Sequence, residues 1–227
     1  MKYLNDISYK DCVGKICKSK LSGDFKIVKY NDSRNVEIQF LKTGFEMFAH
    51  LGSIKNGNVK DPYSASVYGV GISGTKYPPT INDVKTKEYG LWQNMLERCY
   101  SDTFKKRRPT YGGCEASENF KYYEYFYEWC HSQIGFGNES WQLDKDLLVK
   151  GNKVYSENTC VFIPNEINLL LTKRTTSRGK HLIGVCWHNA YKEAKEAFVK
   201  EQANNWKSEI DPRAYNALMN YEVGIND

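Results

Sequence analysis

The stretch Trp141–Arg174, WQLDKDLLVKGNKVYSENTCVFIPNEINLLLTKR, narrows what this chain can fold into more than any other. It opens as a strand that ends in two acids, Asp144 and Asp146, flanking Lys145. Gly151 and Asn152 form a turn pair, a short apolar strand runs around Cys160 to Ile163, and Pro164 opens a helix. A β-hairpin feeding a helix, with an acid on the hairpin and an amide on the helix, can hold one divalent cation against a phosphate.

These residues resemble the HNH (ββα-metal) homing endonucleases carried by phages. In that family an Asp-His pair closes the first strand, a Gly-Asn turn and a "YSPENC"-like segment follow, and a helical Asn completes the metal site. The resemblance places the acid on Asp144, the turn on Gly151 and Asn152, the following segment on Tyr155, Ser156 and Cys160, and the helical amide on Asn168. Upstream, LWQNMLERCY (Leu91–Tyr100), then Tyr111, Gly112 and Gly113, and then Trp129, are similar to the same family's leader. The match covers roughly residues 91–174. It departs at Lys145, where the family carries histidine.

The resemblance implies hydrolysis of a DNA phosphodiester with Asp144 and Asn168 as ligands to one Mg²⁺ or Mn²⁺, an acid and an amide suiting a hard cation. It leaves the base to be assigned among Lys145 and Asp146. A lysine beside carboxylates ordinarily stays protonated, so Lys145 is expected to hold phosphate as a point charge, with Asp146 or a metal-bound hydroxide as the base. The missing histidine also suits two other readings on the same scaffold: a non-catalytic DNA-binding protein, and a phage factor that engages a host protein.

The 227 residues allow one large domain or two to three small ones. A surplus of 32 Lys and Arg over 27 Asp and Glu permits an acidic partner without demanding one. Seven cysteines, odd in number and without a C-x-x-C pair, read as reduced thiols and not as a disulfide frame or a zinc site. The N-terminus has no apolar core of an export signal and no long apolar run follows, so no membrane association is expected. The expected location is the cytoplasm of a phage-infected host.

The expected class is α+β in four parts: a small β-sheet or barrel over 1–60, a linker over 61–87, the HNH-like ββα-metal domain with flanking helices over 88–175, and a basic linker with a shortened helical region over 176–227. Alternation of Phe25 and Ile27, then Val36, Ile38 and Phe40, then Phe45, Met47 and Ala49 predicts the N-terminal strands. Lys15, Lys18, Lys20, Lys26 and Lys29 there either contact a DNA backbone or are simply solvated. The leader running from "GK" to "VKDP" is also similar to phage endonuclease chains. Residues 60–84 show no period, and Gly69-Val70-Gly71 is too short for a phosphate cradle.

Helical spacing of Trp92, Met95, Leu96 and Cys99 predicts one core-facing helix, and Phe120, Tyr123, Phe126, Tyr127 and Cys130 a second. Lys105, Lys106, Arg107 and Arg108, expected in a loop, and Lys173, Arg174, Arg178 and Lys180 in the later linker are the candidate DNA contacts. Leu182–Trp187 resembles the first strand of a small DNA-binding domain that ends such endonucleases. A helix over 191–206 is expected to bury Tyr191, Ala194, Phe198 and Trp206, and Asp211 to cap a last helix with Pro212 at its first position and Ala214, Leu218 and Tyr221 inward.

Overall fold

The computed structural model describes residues 12–171 and 185–224. The fold is mixed α+β, and the chain divides into two compact units: Met1–Lys106 with Lys121–Glu124, and Arg107–Phe120 with Tyr125–Asp227.

In the first unit, β1 (Ile16–Ser19), β2 (Gly23–Tyr30), β3 (Val36–Phe40) and β4 (Glu46–Ala49) form an antiparallel sheet in the order β1-β2-β3-β4. The alternation seen in the sequence sets its two faces. Phe25 pairs with Phe40 and Ile27 with Ile38 across β2 and β3, and all four are fully buried with Val36. The Phe25 and Phe40 rings lie 5.7 Å apart. The sheet is an open meander with β1 and β4 at its ends, not a closed barrel. Helix α1 (Leu51–Lys55) is capped by His50, whose Nδ1 accepts the Gly52 N–H at 3.0 Å, and Leu51 and Ile54 cover the apolar face.

Residues 61–87, expected as a linker, carry definite structure. Asp61 is buried; it accepts from the Thr43 hydroxyl at 2.5 Å and the Tyr63 N–H at 2.8 Å, and its own N–H donates to Ser22 Oγ. A hairpin of β5 (Thr80–Ile81) and β6 (Val84–Lys85) turns at Asn82 and Asp83, both with positive φ, which short Asx side chains tolerate. The signal for it was the Asn-Asp pair. Gly71 lies where a Cβ would run into Leu96 and Trp92, so its place in the sequence answers to packing. Helix α2 (Lys87–Tyr100) starts at Thr86, whose hydroxyl accepts the Tyr89 N–H, and buries the expected Trp92, Met95, Leu96 and Cys99.

The four-cation run differs from expectation: α3 (Asp102–Arg107) includes Lys105, Lys106 and Arg107 in a helical turn. It begins at the Ser101 hydroxyl, which accepts the Phe104 N–H.

In the second unit, β7 (Glu115–Ala116) precedes α4 (Tyr123–Ser132), whose first two residues belong to the first unit. Strand β8 (Trp141–Asp144) is followed by β9 (Val154–Tyr155), which pairs parallel with β7, and then by β10 (Val161–Pro164). β8 and β10 pair antiparallel, Asp144 opposite Val161 and Trp141 opposite Pro164. Helix α5 (Asn165–Leu171) folds back on both strands. Phe162 packs against Trp129 and Phe136 on one face of the pair.

Helix α6 (Val185–Asn205) packs on α7 (Pro212–Met219), which Asp211 caps by accepting the Arg213 N–H at 2.7 Å. Ala214 and Leu218 are buried as expected. Two expectations for this region are overturned. Val185, Cys186 and Trp187 are helical, so the resemblance to a first strand over 182–187 does not hold there, and residues 182–184 lie outside the described residues. Tyr191 and Phe198 are exposed at 47% and 45%, and Ala194 is exposed as well. The buried line of α6 is Val199 and Ala203, whose small side chains let α7 approach. Trp206 is half-buried and meets Trp141 edge-on at 6.0 Å.

Gly135 turns the chain into β8 with φ +88°, and a Cβ there would collide with the Trp141 ring. Both the backbone and the contact oppose a side chain, so Gly135→Ala is expected to cost roughly 2–3 kcal/mol, measured by urea denaturation.

Candidate functional site

Asp144 ends β8, and its side chain is divided in function. Oδ1 accepts the N–H groups of Asp146 and Leu147, at 2.8 and 2.7 Å. Oδ2 has no hydrogen bond among the described residues and is not fully enclosed. Burial pushes the carboxyl above its ordinary range despite the two backbone N–H groups that favour its charge. One oxygen is thereby fixed in direction, and the other is left without a hydrogen bond among the described residues.

The loop after Asp144 is closed by a reciprocal pair. Lys145, only 7% exposed, donates from Nζ to the Asn152 carbonyl at 2.8 Å, while Asn152 Nδ2 donates back to the Lys145 carbonyl at 2.8 Å. Asn152 also spans Val154, donating to its carbonyl and accepting its N–H. The Lys145 ammonium bonds the Asp146 carboxylate and lies 5.7 Å from the Tyr155 ring centroid. The lysine is thus a strut inside the loop, and Asp146, largely exposed, is held at its rim. The Gly151 turn is present at φ +77°.

Tyr155 and Cys160 are buried, and burial pushes the Cys160 thiol up to about 12, an inert thiol at neutral pH. Ser156 forms the turn into β10, its hydroxyl 2.8 Å from Thr159 Oγ1. Asn168 is half-buried on α5, one residue after the buried Ile167. Asp144 and Asn168 therefore belong to one strand-strand-helix unit, with α5 packed against the strand that Asp144 ends. Among the described residues no three His, Cys, Asp or Glu side chains gather as a metal cluster. The pair at issue is smaller, one carboxylate and one amide, the kind of donor set Mg²⁺ accepts while keeping most of its waters.

Of the candidate DNA contacts, Lys106, Arg107 and Arg108 are exposed and Lys105 is half-buried. Lys173, Arg174, Arg178 and Lys180 lie outside the described residues. In the N-terminal sheet Lys18, Lys20, Lys26 and Lys29 are exposed and Lys15 is half-buried. Cys12, Cys17, Cys99, Cys114, Cys130 and Cys160 are buried and form no disulfide. No helix among the described residues is long and apolar enough to cross a membrane.

The sequence reading missed one grouping near this loop. Lys150 donates to the Glu222 carbonyl at 2.9 Å and lies 5.8 Å from the Tyr221 ring centroid; Lys195 lies 5.8 Å from the same centroid and 5.8 Å from that of Tyr191. The available signal was Lys195 in the middle of an aromatic stripe that had been assigned to the core.

Comparison of the chain with family models, with curated proteins and with solved structures gives no match.

Two outcomes follow for the loop. Lys145→Ala and Asn152→Ala are each expected to cost about 2 kcal/mol, with a double-mutant cycle showing coupling of roughly 1 kcal/mol, because both remove the same latch. Asp144→Asn keeps an acceptor for the two N–H groups and removes a carboxyl whose folded pKa is raised. The favourable contribution of such a group is complete below its unfolded pKa and is lost as pH rises through the folded one. Thermal melting should therefore show the Asn variant gaining on the parent as pH rises from acid to neutral.

Proposed function

We propose that the chain is a metal-dependent DNA endonuclease of the HNH homing type, with Asp144 and Asn168 holding one Mg²⁺ or Mn²⁺. The observation that carries this is the divided carboxylate of Asp144, with one oxygen pinned by two backbone N–H groups and the other without a hydrogen bond among the described residues, at the end of a strand-strand-helix unit. Preorganised donors of this kind spare the site reorganisation during reaction. A divalent ion held there would supply positive charge to a phosphate oxygen.

In this reading Lys145 is a positioning residue. Its buried ammonium holds the Asp146 carboxylate, which has an oxygen left to accept a proton from water at the rim. The exposed cations Lys106, Arg107 and Arg108 supply backbone contacts that give affinity without sequence information.

A second reading is favoured by the same lysine. The family's histidine position is occupied by a side chain tied into the loop, which suits a DNA-binding protein or a host-directed phage factor that keeps the scaffold without cleavage.

Incubation of supercoiled and single-stranded DNA with Mg²⁺ or Mn²⁺ separates the two. Asp144→Ala and Asn168→Ala are each expected to reduce cleavage by more than about 100-fold while DNA affinity changes little. Parent protein that binds DNA without cutting it under any divalent ion would leave the second reading.

A further inference from the structure

A stripe on α6, two exposed rings flanking a half-buried lysine, is the feature that neither the core nor the metal site uses. Tyr191, Lys195 and Phe198 recur at i, i+4 and i+7, so they share one helix face, and both rings keep nearly half of their surface in water. Glu193 falls off its line and Glu196 is turned to the Val223 N–H at 2.8 Å and to Lys192, while the exposed Glu201 follows Phe198 at i+3 and ends the stripe. Beside the stripe, Lys150 and Lys195 each lie 5.8 Å from the centroid of the single Tyr221 ring, whose negative face attracts cations. Lys150 reaches there from the loop that begins at Asp144 and is latched at its base by Lys145 and Asn152.

We infer that this surface binds single-stranded nucleic acid, with unpaired bases stacking on Tyr191 and Phe198 and phosphates meeting Lys195 and Lys150. The chemistry favours this occupant over a protein. The cores of protein interfaces are depleted in lysine, yet here a lysine stands at the middle of the apolar line. Alternating rings and cations is what a polynucleotide presents in complement, since every base has a stacking face and every linkage a charge. A duplex keeps its base faces inside the stack, so rings on a convex helix can reach only unpaired bases. The inference rests on the nucleic-acid reading of the Asp144 unit for its substrate class, and it names the form of the strand next to that unit.

The test is binding of the full chain to fluorescein-labelled oligothymidylate, longer than the roughly 4–16 nucleotides one module covers, followed by anisotropy in EDTA so that no metal contributes. The double variant Tyr191→Ala with Phe198→Ala is expected to weaken binding about 10-fold or more, and the ring-keeping pair Tyr191→Phe with Phe198→Tyr to retain it. Lys195→Ala should lower the slope of log affinity against log salt by about 0.7. Circular dichroism melting, unchanged in these surface variants, separates lost binding from lost fold.

The inference is overturned if the parent does not bind the oligonucleotide, if the double alanine variant binds as tightly as the parent, or if a duplex of equal length binds more tightly and loses as much on substitution. Cleavage enters none of these readouts. Intact stacking with no cleavage would sink the metal reading alone, and cleavage with no stacking would sink this one alone.

Discussion

The second unit depends on a mutual grip between Lys145 and Asn152, each donating to the other's carbonyl across the loop that separates β8 from β9. Six residues between two anchors would otherwise sample many conformations, and the backbone amides that fix Asp144 lie at the start of that loop. Holding the loop closed holds those amides in place. A buried ammonium is costly unless every proton finds an acceptor or a ring, and here a carbonyl, a carboxylate and the Tyr155 face surround it. Lys145 is thus the residue on which the geometry of the neighbouring acid rests.

Much of the fold was legible in the sequence because it follows from period. Alternation placed the inner face of β2 and β3, and the 3.6-residue repeat placed Trp92, Met95, Leu96 and Cys99 inside. The order of strand, strand and helix around Asp144 was legible from its turn and capping residues. The partners of Lys145 were not, since no local pattern tells whether a lysine beside two acids faces water or folds back on a carbonyl seven residues away. The stripe on α6 was misjudged for a related reason. Hydrophobic period identifies a face but not what covers it, and the packing of α7 selected Val199 and Ala203 instead of the larger rings.

The hairpin at Asn82 and Asp83 illustrates the limit from the other side. Two-residue strands carry no measurable alternation, so only the tolerance of Asn and Asp for positive φ marked the turn. The β7–β9 pair is equally short and joins residues nearly forty apart in the chain, a contact that sequence period cannot express.

The placement of the thiols gives each unit its own reporter. Cys12, Cys17 and Cys99 are buried in the first unit, and Cys114, Cys130 and Cys160 in the second. A reagent that reacts only with accessible thiolate must wait for the surrounding core to open, so the rate at which each cysteine is alkylated records the opening of its own half. These six buried sulfurs are thus two sets of internal clocks for local unfolding, one in each unit.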